Sequence, residues 1–270
     1  MKIYCWNGCW LGIVCTYSIL AVGCATQDQT ERPSQKHYFL ESAKADVANF
    51  PGKVIQGSKD TFFNKNNLTA LLLAGGASIS MHNSDADKNI AENFERHNSL
   101  HGFVDESFNI IGSPGAHFAV TGLWYAISAD EQDVFNRERA MTMMTALSIT
   151  GITTVGLKAI RDNDTPNGQR WAWPSGHTSS SFTVAAVLDE FYGPKVGIPA
   201  YALASLVAYR MMDTGDHWAS DVVFGATLGW VVGHTVAGKH KALEIAGFKV
   251  LPYAGGVNGP AMGVSLVRRF

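Results

Sequence analysis

The chain has 270 residues, of which 46% are hydrophobic and 16% charged, and its formal net charge is −2. That length suits one ordinary domain with a sizeable core. The near-neutral balance provides no basic footprint for nucleic acid and no long acidic tail.

Taken in chain order, residues 1–23 read as a secretory signal. Lys2 is the only early charge, and the apolar run Leu11–Gly23 that follows is too short and weakly flanked for a permanent span. It ends in Leu20-Ala21-Val22-Gly23-Cys24, which resembles a bacterial lipoprotein cleavage site with the leucine one position further upstream than usual. On that resemblance Cys24 becomes the lipidated first residue. The four cysteines are Cys5, Cys9, Cys15 and Cys24, so cleavage before Cys24 leaves one thiol and no intramolecular disulfide. This points to the periplasmic side of the cell envelope, with attachment to a membrane through a lipid anchor. The plainer alternatives are an ordinary signal with incidental cysteines, or an uncleaved anchor helix.

Residues 24–37 are polar, include Pro33, and read as a flexible tether. A helical domain is expected over 38–245. Its first stretch, Tyr38–Phe63, is amphipathic and interrupted by Pro51, and Leu68–Ser80 forms a short apolar helix. Asp85–Asn98 is polar and reads as a loop with some helix. Helices follow over Phe103–Ile111, Gly115–Ser128, Asp133–Ile160, Thr178–Phe191, Val196–Arg210 and His217–Val236. Turn residues separate them at Ser113-Pro114-Gly115, Asp164–Gly168 and Gly193-Pro194. The longest uncharged run, Ala140–Leu157, has 18 residues, eight of them Thr, Ser or Gly, which favours a buried bundle helix over one in lipid. In the extension 246–270, Phe248, Val250 and Pro252 alternate, Gly255–Gly259 supplies a turn, and Met262, Val264, Leu266 and Phe270 continue at spacing near two. That pattern predicts a small β-hairpin. The fold class is therefore all-α, a helical bundle with a terminal hairpin.

The residues that carry chemistry lie between Lys158 and Asp221. Hydrolysis of a phosphate monoester needs donors around the phosphoryl oxygens, an in-line nucleophile and an acid for the leaving oxygen. Where no metal or cofactor supplies the charge, Lys and Arg must, and Lys158 and Arg210 are the candidates. Pro174-Ser175-Gly176-His177 falls where a helix should begin, and a helix N-terminus aims backbone N–H groups at an anion. Ser175 can donate, and Gly176 lets a ligand approach the backbone. His217 and Asp221 are four apart, so a helix would place them on one face, with Asp221 holding one ring nitrogen and the other left to attack phosphorus. His177 can protonate the leaving alkoxide and later activate water.

These motifs resemble those of the type 2 phosphatidic acid phosphatase superfamily, which includes bacterial acid phosphatases and vanadium haloperoxidases. The family signature reads K-x6-R-P, P-S-G-H and S-R-x5-H-x3-D. The resemblance covers about Phe103 to His234. Pro174–His177 matches in full and continues in Thr178-Ser179-Ser180, while His217 and Asp221 close the third part, followed by Val222–Ala226. The resemblance implies a helical phosphatase fold, a phosphohistidine intermediate on His217, and a phosphorylated small molecule or lipid as substrate. The sequence departs from the signature in two places. Thr165 stands where the first part has Arg, and six residues rather than five separate Arg210 from His217, with Tyr209 in place of Ser. Arg161 and Arg170 are the nearby candidates to replace the lost guanidinium, with Arg170 slightly preferred.

Plainer readings stand beside these. Lys158 and Arg210 could simply be cations closing helices, and His217 with Asp221 a structural pair. His97 and His101 read as a surface pair, His117 and His234 as core or edge histidines, and Trp171 and Trp173 as packing residues. Two rival functions remain at this point: a vanadium-dependent haloperoxidase, and a catalytically degenerate envelope lipoprotein.

Overall fold

The structure is a computed structural model that describes residues 35–238 and the backbone of strands at 243–245, 248–254 and 262–267. Cys24, the signal and most of the tether lie outside the described residues, as does the turn at 255–259. The helices are α1 Gln35–Phe62, α2 Lys65–Asn83, α3 Ala86–Arg96, α4 Gly102–Gly112, α5 Pro114–Asp130, α6 Val134–Arg161, α7 Gly176–Tyr192, α8 Pro194–Asp213 and α9 Ala219–Gly238. The class is the all-α bundle expected. Strands β1 Leu243–Ile245, β2 Phe248–Ala254 and β3 Met262–Val267 form an antiparallel sheet in the order β1-β2-β3, with Val250 opposite Leu266 in the β2–β3 hairpin.

Local chemistry sets the helix ends. Pro114 and Pro194 each sit in a first turn, where their missing N–H costs nothing. Asn64 Oδ1 accepts from Asn66 N at 2.9 Å, and Asp133 Oδ1 from Asn136 N at 3.0 Å, each satisfying an otherwise orphaned donor.

Three expectations need correction. Pro51 does not interrupt α1, because it stands on an exposed side where losing one hydrogen bond leaves the helix continuous. Asp85–Asn98 is mostly a true helix, α3, whose inward positions Asp87, Ile90, Ala91 and Phe94 have the period of an amphipathic face despite the polar composition. α9 begins at Ala219, so His217 lies on the turn before it rather than on the helix.

The core is centred on α6, α7 and α9, with Leu147, Ile149, Val187, Leu228 and Val232 fully buried among them. α8 packs on α7, α4 on α8, and α2 on α9. By length and composition α6 could cross a membrane, yet much of its apolar stretch lies inside the bundle. Its hydroxyls are matched there. Thr150 Oγ1 meets Thr183 Oγ1 at 2.8 Å, and Thr154 Oγ1 meets Ser179 Oγ at 3.1 Å. Buried hydroxyls paired in this way avoid the desolvation penalty of an unmade bond.

The α7–α9 contact positions the site. Gly225, Gly229 and Gly233 form a stripe along α9 that lies against α7. A Cβ at Gly229 would fall 2.1 Å from Ser179 O, and one at Gly233 would fall 2.8 Å from Thr183 O. Only glycine lets the two backbones come this close, and the closeness brings the start of α7 against the start of α9.

Candidate active site

Ser175 is the N-cap of α7 and is completely buried. Its Oγ accepts from Thr178 N at 3.4 Å and from Thr178 Oγ1 at 3.0 Å, which leaves its own proton to donate. Its N–H donates to Asp221 O at 3.2 Å, tying the first turn of α7 to the first turn of α9. A Cβ on Gly176 would touch only Thr154 Cγ2, at an ordinary 3.9 Å, so the protein's own packing does not demand glycine there.

After α8 the chain turns through Gly215, whose φ of +70° suits a residue without a side chain. His217 N–H then donates to Met211 O at 2.9 Å. The ring of His217 is 9% exposed as a residue, and its Nδ1 lies 3.4 Å from Asp221 Oδ2. That distance is long for a hydrogen bond. The same carboxylate oxygen accepts Trp218 N–H at 2.9 Å, which fixes the Asp221 side chain. Among the described residues, no hydrogen bond engages Nε2 of His217.

His177 is in the first turn of α7. Burial pushes it down to about 4, aided by the nearby His217, Arg210 and His117 and opposed by Asp216. An imidazole so placed is neutral near pH 7 until an anion arrives beside it.

The cations are less simply arranged than the sequence suggests. Lys158 Nζ donates to the carbonyls of Trp171 and Ala172, on the strap leading into Pro174. Burial lowers it to about 8, and Asp221 opposes that shift. Arg210 is buried with its guanidinium between two carboxylates: Nε donates to Asp105 Oδ1 at 2.7 Å and Nη1 to Asp216 Oδ2 at 2.5 Å. Burial works against its charge, and the bond to Asp105 with the nearby Asp216 outweighs that and holds it charged.

The two loop arginines have different surroundings. Arg170, the favoured candidate, is 72% exposed and pairs with Asp162 at the surface. Arg161 lies over the ring of Trp173 at 5.6 Å. Its Nε is buried with no hydrogen-bond partner among the described residues. Thr165 takes the family's Arg position for a structural purpose. Its Oγ1 donates within the loop, being 2.6 Å from Asn167 Oδ1, and accepts from Gln169 N at 2.8 Å.

Several residues at the site were not singled out by the sequence. Asp105 and Asp216 hold Arg210, and Trp218 braces the turn through its indole N–H to Asp164 O at 2.7 Å. Asp216 could have been noticed as the acid immediately before His217, but Asp105 had no local signal. His234 instead joins Glu190 and Tyr201 near the other ends of α7 and α9, at 2.5 and 2.8 Å. Among the described residues, no group of three or more His, Cys, Asp or Glu is arranged to hold a metal ion.

The chemistry this arrangement permits is anion capture at the start of α7, beside two imidazoles and two cations. Known proteins offer parallels. The family model of the PAP2 superfamily matches residues 82–243. A lipid A 1-phosphatase of Porphyromonas gingivalis is 37% identical over 65 residues, which is 23% of this chain and 15% of that protein. The chain therefore matches only a small part of that relative's length. The solved structure of a transmembrane PAP2 type phosphatidylglycerolphosphate phosphatase from Bacillus subtilis superposes with a TM-score of 0.54 at 19% identity, covering 63% of this chain and 91% of that one.

Proposed function

The chain belongs to the PAP2 superfamily, and we propose that it is a phosphatase working through a phosphohistidine on His217. The observation that carries this reading is the meeting of the two motif segments. Ser175 N–H donates to Asp221 O, so His177 and the His217–Asp221 pair face one small region.

In the proposed reaction Nε2 of His217 attacks phosphorus and the bond to the leaving oxygen breaks. His177 gives that oxygen its proton. His177 then takes a proton from water, which attacks phosphorus, breaks the P–N bond and releases inorganic phosphate. Asp221 keeps Nδ1 protonated so that Nε2 carries the lone pair. Ser175, the backbone at Gly176 and Lys158 neutralise the phosphoryl oxygens as charge develops, and Arg210 holds the phosphate from binding onward. These are the chain's own groups, and the reaction is proposed to need no metal.

Lipid phosphates are the favoured substrate class. Two phosphatases to which the chain is similar carry lipid phosphates in their names. The proposed acyl chain on Cys24, on the periplasmic side of the envelope, would hold the domain beside such lipids.

The test is acid-labile phosphate trapping. After rapid quench in alkali with a radiolabelled phosphomonoester, the wild-type protein should carry label stable to base and released by acid. His217→Ala should carry none and turn over at least about a thousandfold more slowly while remaining folded. Substantial residual turnover in His217→Ala would overturn the nucleophile assignment.

A further inference from the structure

The segment that carries Arg210, His217 and Asp221 is one residue longer between Arg210 and His217 than the family signature. It is also gripped from outside by carboxylates on an arm that the signature does not include, α3 and α4. At the α9 end, Asp87 of α3 is 2% exposed and accepts Ser220 N–H at 2.9 Å and Ser220 Oγ–H at 2.5 Å. A carboxylate there satisfies orphaned donors of α9 and suits the positive end of its dipole. Ser220 is the neighbour of Asp221, so Asp87 fixes the turn in which Asp221 faces His217. His82 of α2 stands behind Asp87, with Nδ1 at 3.5 Å from Oδ2.

At the α8 end, Asp105 of α4 takes the Nε side of Arg210, with Oδ1 at 2.7 Å from Nε and Oδ2 at 3.4 Å from Nη2. With Nη1 on Asp216, every guanidinium nitrogen meets a carboxylate, and the second protons of Nη1 and Nη2 remain for a phosphate. α4 is fixed at both ends. Before it, Asp213 accepts Ser99 N at 3.0 Å and Leu100 N at 2.9 Å. At its last residue, Gly112 lies so close to Val207 that a Cβ would fall 2.3 Å from Cγ1. These ties seat α4 on α8 and so place Asp105 against Arg210.

We propose that Asp87 and Asp105 are positioning residues of the phosphoryl-transfer site. Asp87 holds the start of α9 so that Asp221 meets His217, and Asp105 aims Arg210 at the substrate phosphate. Together they hold in place the lengthened α8–α9 turn. This inference rests on the function proposed above, and it divides the two kinetic constants between the two residues. Losing Asp87 disturbs the nucleophile, which acts in the chemical step. Losing Asp105 disturbs an anion contact, which is present from binding onward.

The experiment measures Asp87→Ala and Asp105→Ala in the full chain, with folding checked by circular dichroism and thermal melting. Asp87→Ala should lower kcat roughly 10- to 100-fold with KM within about threefold. Asp105→Ala should raise KM about tenfold with kcat within about threefold. Asp87→Asn, which keeps an acceptor for Ser220 N–H, should recover most of the lost turnover. If the Ala variants do not fold, Asp87→Asn combined with Ser220→Ala, and Asp105→Asn alone, carry the same comparison. A second readout needs no turnover. The nitrogen-correlated NMR signals of the His217 ring should move in Asp87→Ala in the same sense as in Asp221→Asn, and binding of inorganic vanadate should weaken in Asp105→Ala. Wild-type kinetics and an unmoved His217 ring in folded variants would overturn the proposal, leaving the arm purely structural. Tighter vanadate binding in Asp105→Ala would also overturn it, because the carboxylate would then be occupying the anion seat. A wild-type protein that hydrolyses no phosphate ester would defeat the proposed function instead, and the NMR and vanadate measurements would still decide the placement.

Discussion

His177 shows how burial sets the working pH of the site. Its ordinary value of 6.5 is lowered to about 4, first by desolvation and then by His217 and Arg210. His117, on α5, is lowered by burial to about 4 as well. As a proton donor His177 must be charged, so a phosphate dianion has to enter before it can serve. We therefore expect kcat/KM to rise as the pH falls from about 8 towards 5.5, with loss of the Lys158 charge, which titrates at about 8, adding to the alkaline decline. A pH–rate profile that climbs through pH 8 would contradict this assignment. The same shifts bear on stability. The unfolded chain binds protons on both histidines near 6.5, whereas the folded chain does so only near 4. Stability is thus fully present above 6.5, falls as pH drops through this window, and is lost below 4 by on the order of 1–3 kcal/mol per histidine. The urea midpoint should fall between pH 7 and 4.5, and His117→Gln should flatten that fall. At this scale the helix start at Ser175 and the nearness of His217 to Asp221 were legible in the sequence. The partners of Arg210 were not, since Asp105 is 105 positions away and pairs with it only after α4 packs on α8. The pairing of Arg170 with Asp162 was likewise not read from the sequence.

The element that governs the site is the α7–α9 pair. Helices were legible from periodicity, but how closely two of them approach was not read from it. The signal was present as Gly225, Gly229 and Gly233 at intervals of four, which places them along one side of a helix. Its meaning depends on what faces it, and Ser179, Thr183 and Ala186 of α7 do so with backbone and small side chains. Gly229→Ala gains helix propensity of ~1 kcal/mol. It also drives a methyl to 2.1 Å from Ser179 O, a backbone atom that moves only with its helix. Overpacking typically costs 1–3 kcal/mol or more, so separation of the helices should outweigh the propensity gain. We expect Gly229→Ala to lower the melting temperature and reduce kcat. Gly122→Ala on α5, where a Cβ meets nothing within 4 Å, should do neither. Equal melting temperatures for the two variants would mean that the stripe tolerates side chains. α3 carries the complementary lesson. Its composition is polar enough to suggest a loop, yet the inward face of Asp87, Ile90, Ala91 and Phe94 makes it a helix, and its buried position is occupied by an acid that binds Ser220.

For the whole molecule, the proposed anchor and the proposed chemistry make separable demands. The domain from α1 to α9 holds every residue assigned to phosphoryl transfer, whereas Cys24 lies before it and outside the described residues. If Cys24 carries the lipid, its contribution is one of location, because tethering raises the effective concentration of a membrane-borne substrate without adding a contact to it. Chemistry on a dissolved substrate needs no such help. Processed wild-type protein should therefore begin at an acylated Cys24, as read by mass spectrometry of the mature N-terminus, and Cys24→Ser should begin elsewhere and leave the membrane fraction. On vesicles of neutral phospholipid containing a lipid phosphate monoester, Cys24→Ser should be slower by an order of magnitude or more at equal protein concentration. On a soluble aryl phosphate the two proteins should have equal kcat/KM. Equal rates on vesicles would mean that the folded domain finds the bilayer unaided. Its exposed Phe103, Val104, Ile110 and Ile111 on α4 and Leu72, Leu73 and Ile79 on α2 would then be the surfaces to examine. A slower rate on both substrates would place the damage in the fold rather than in location.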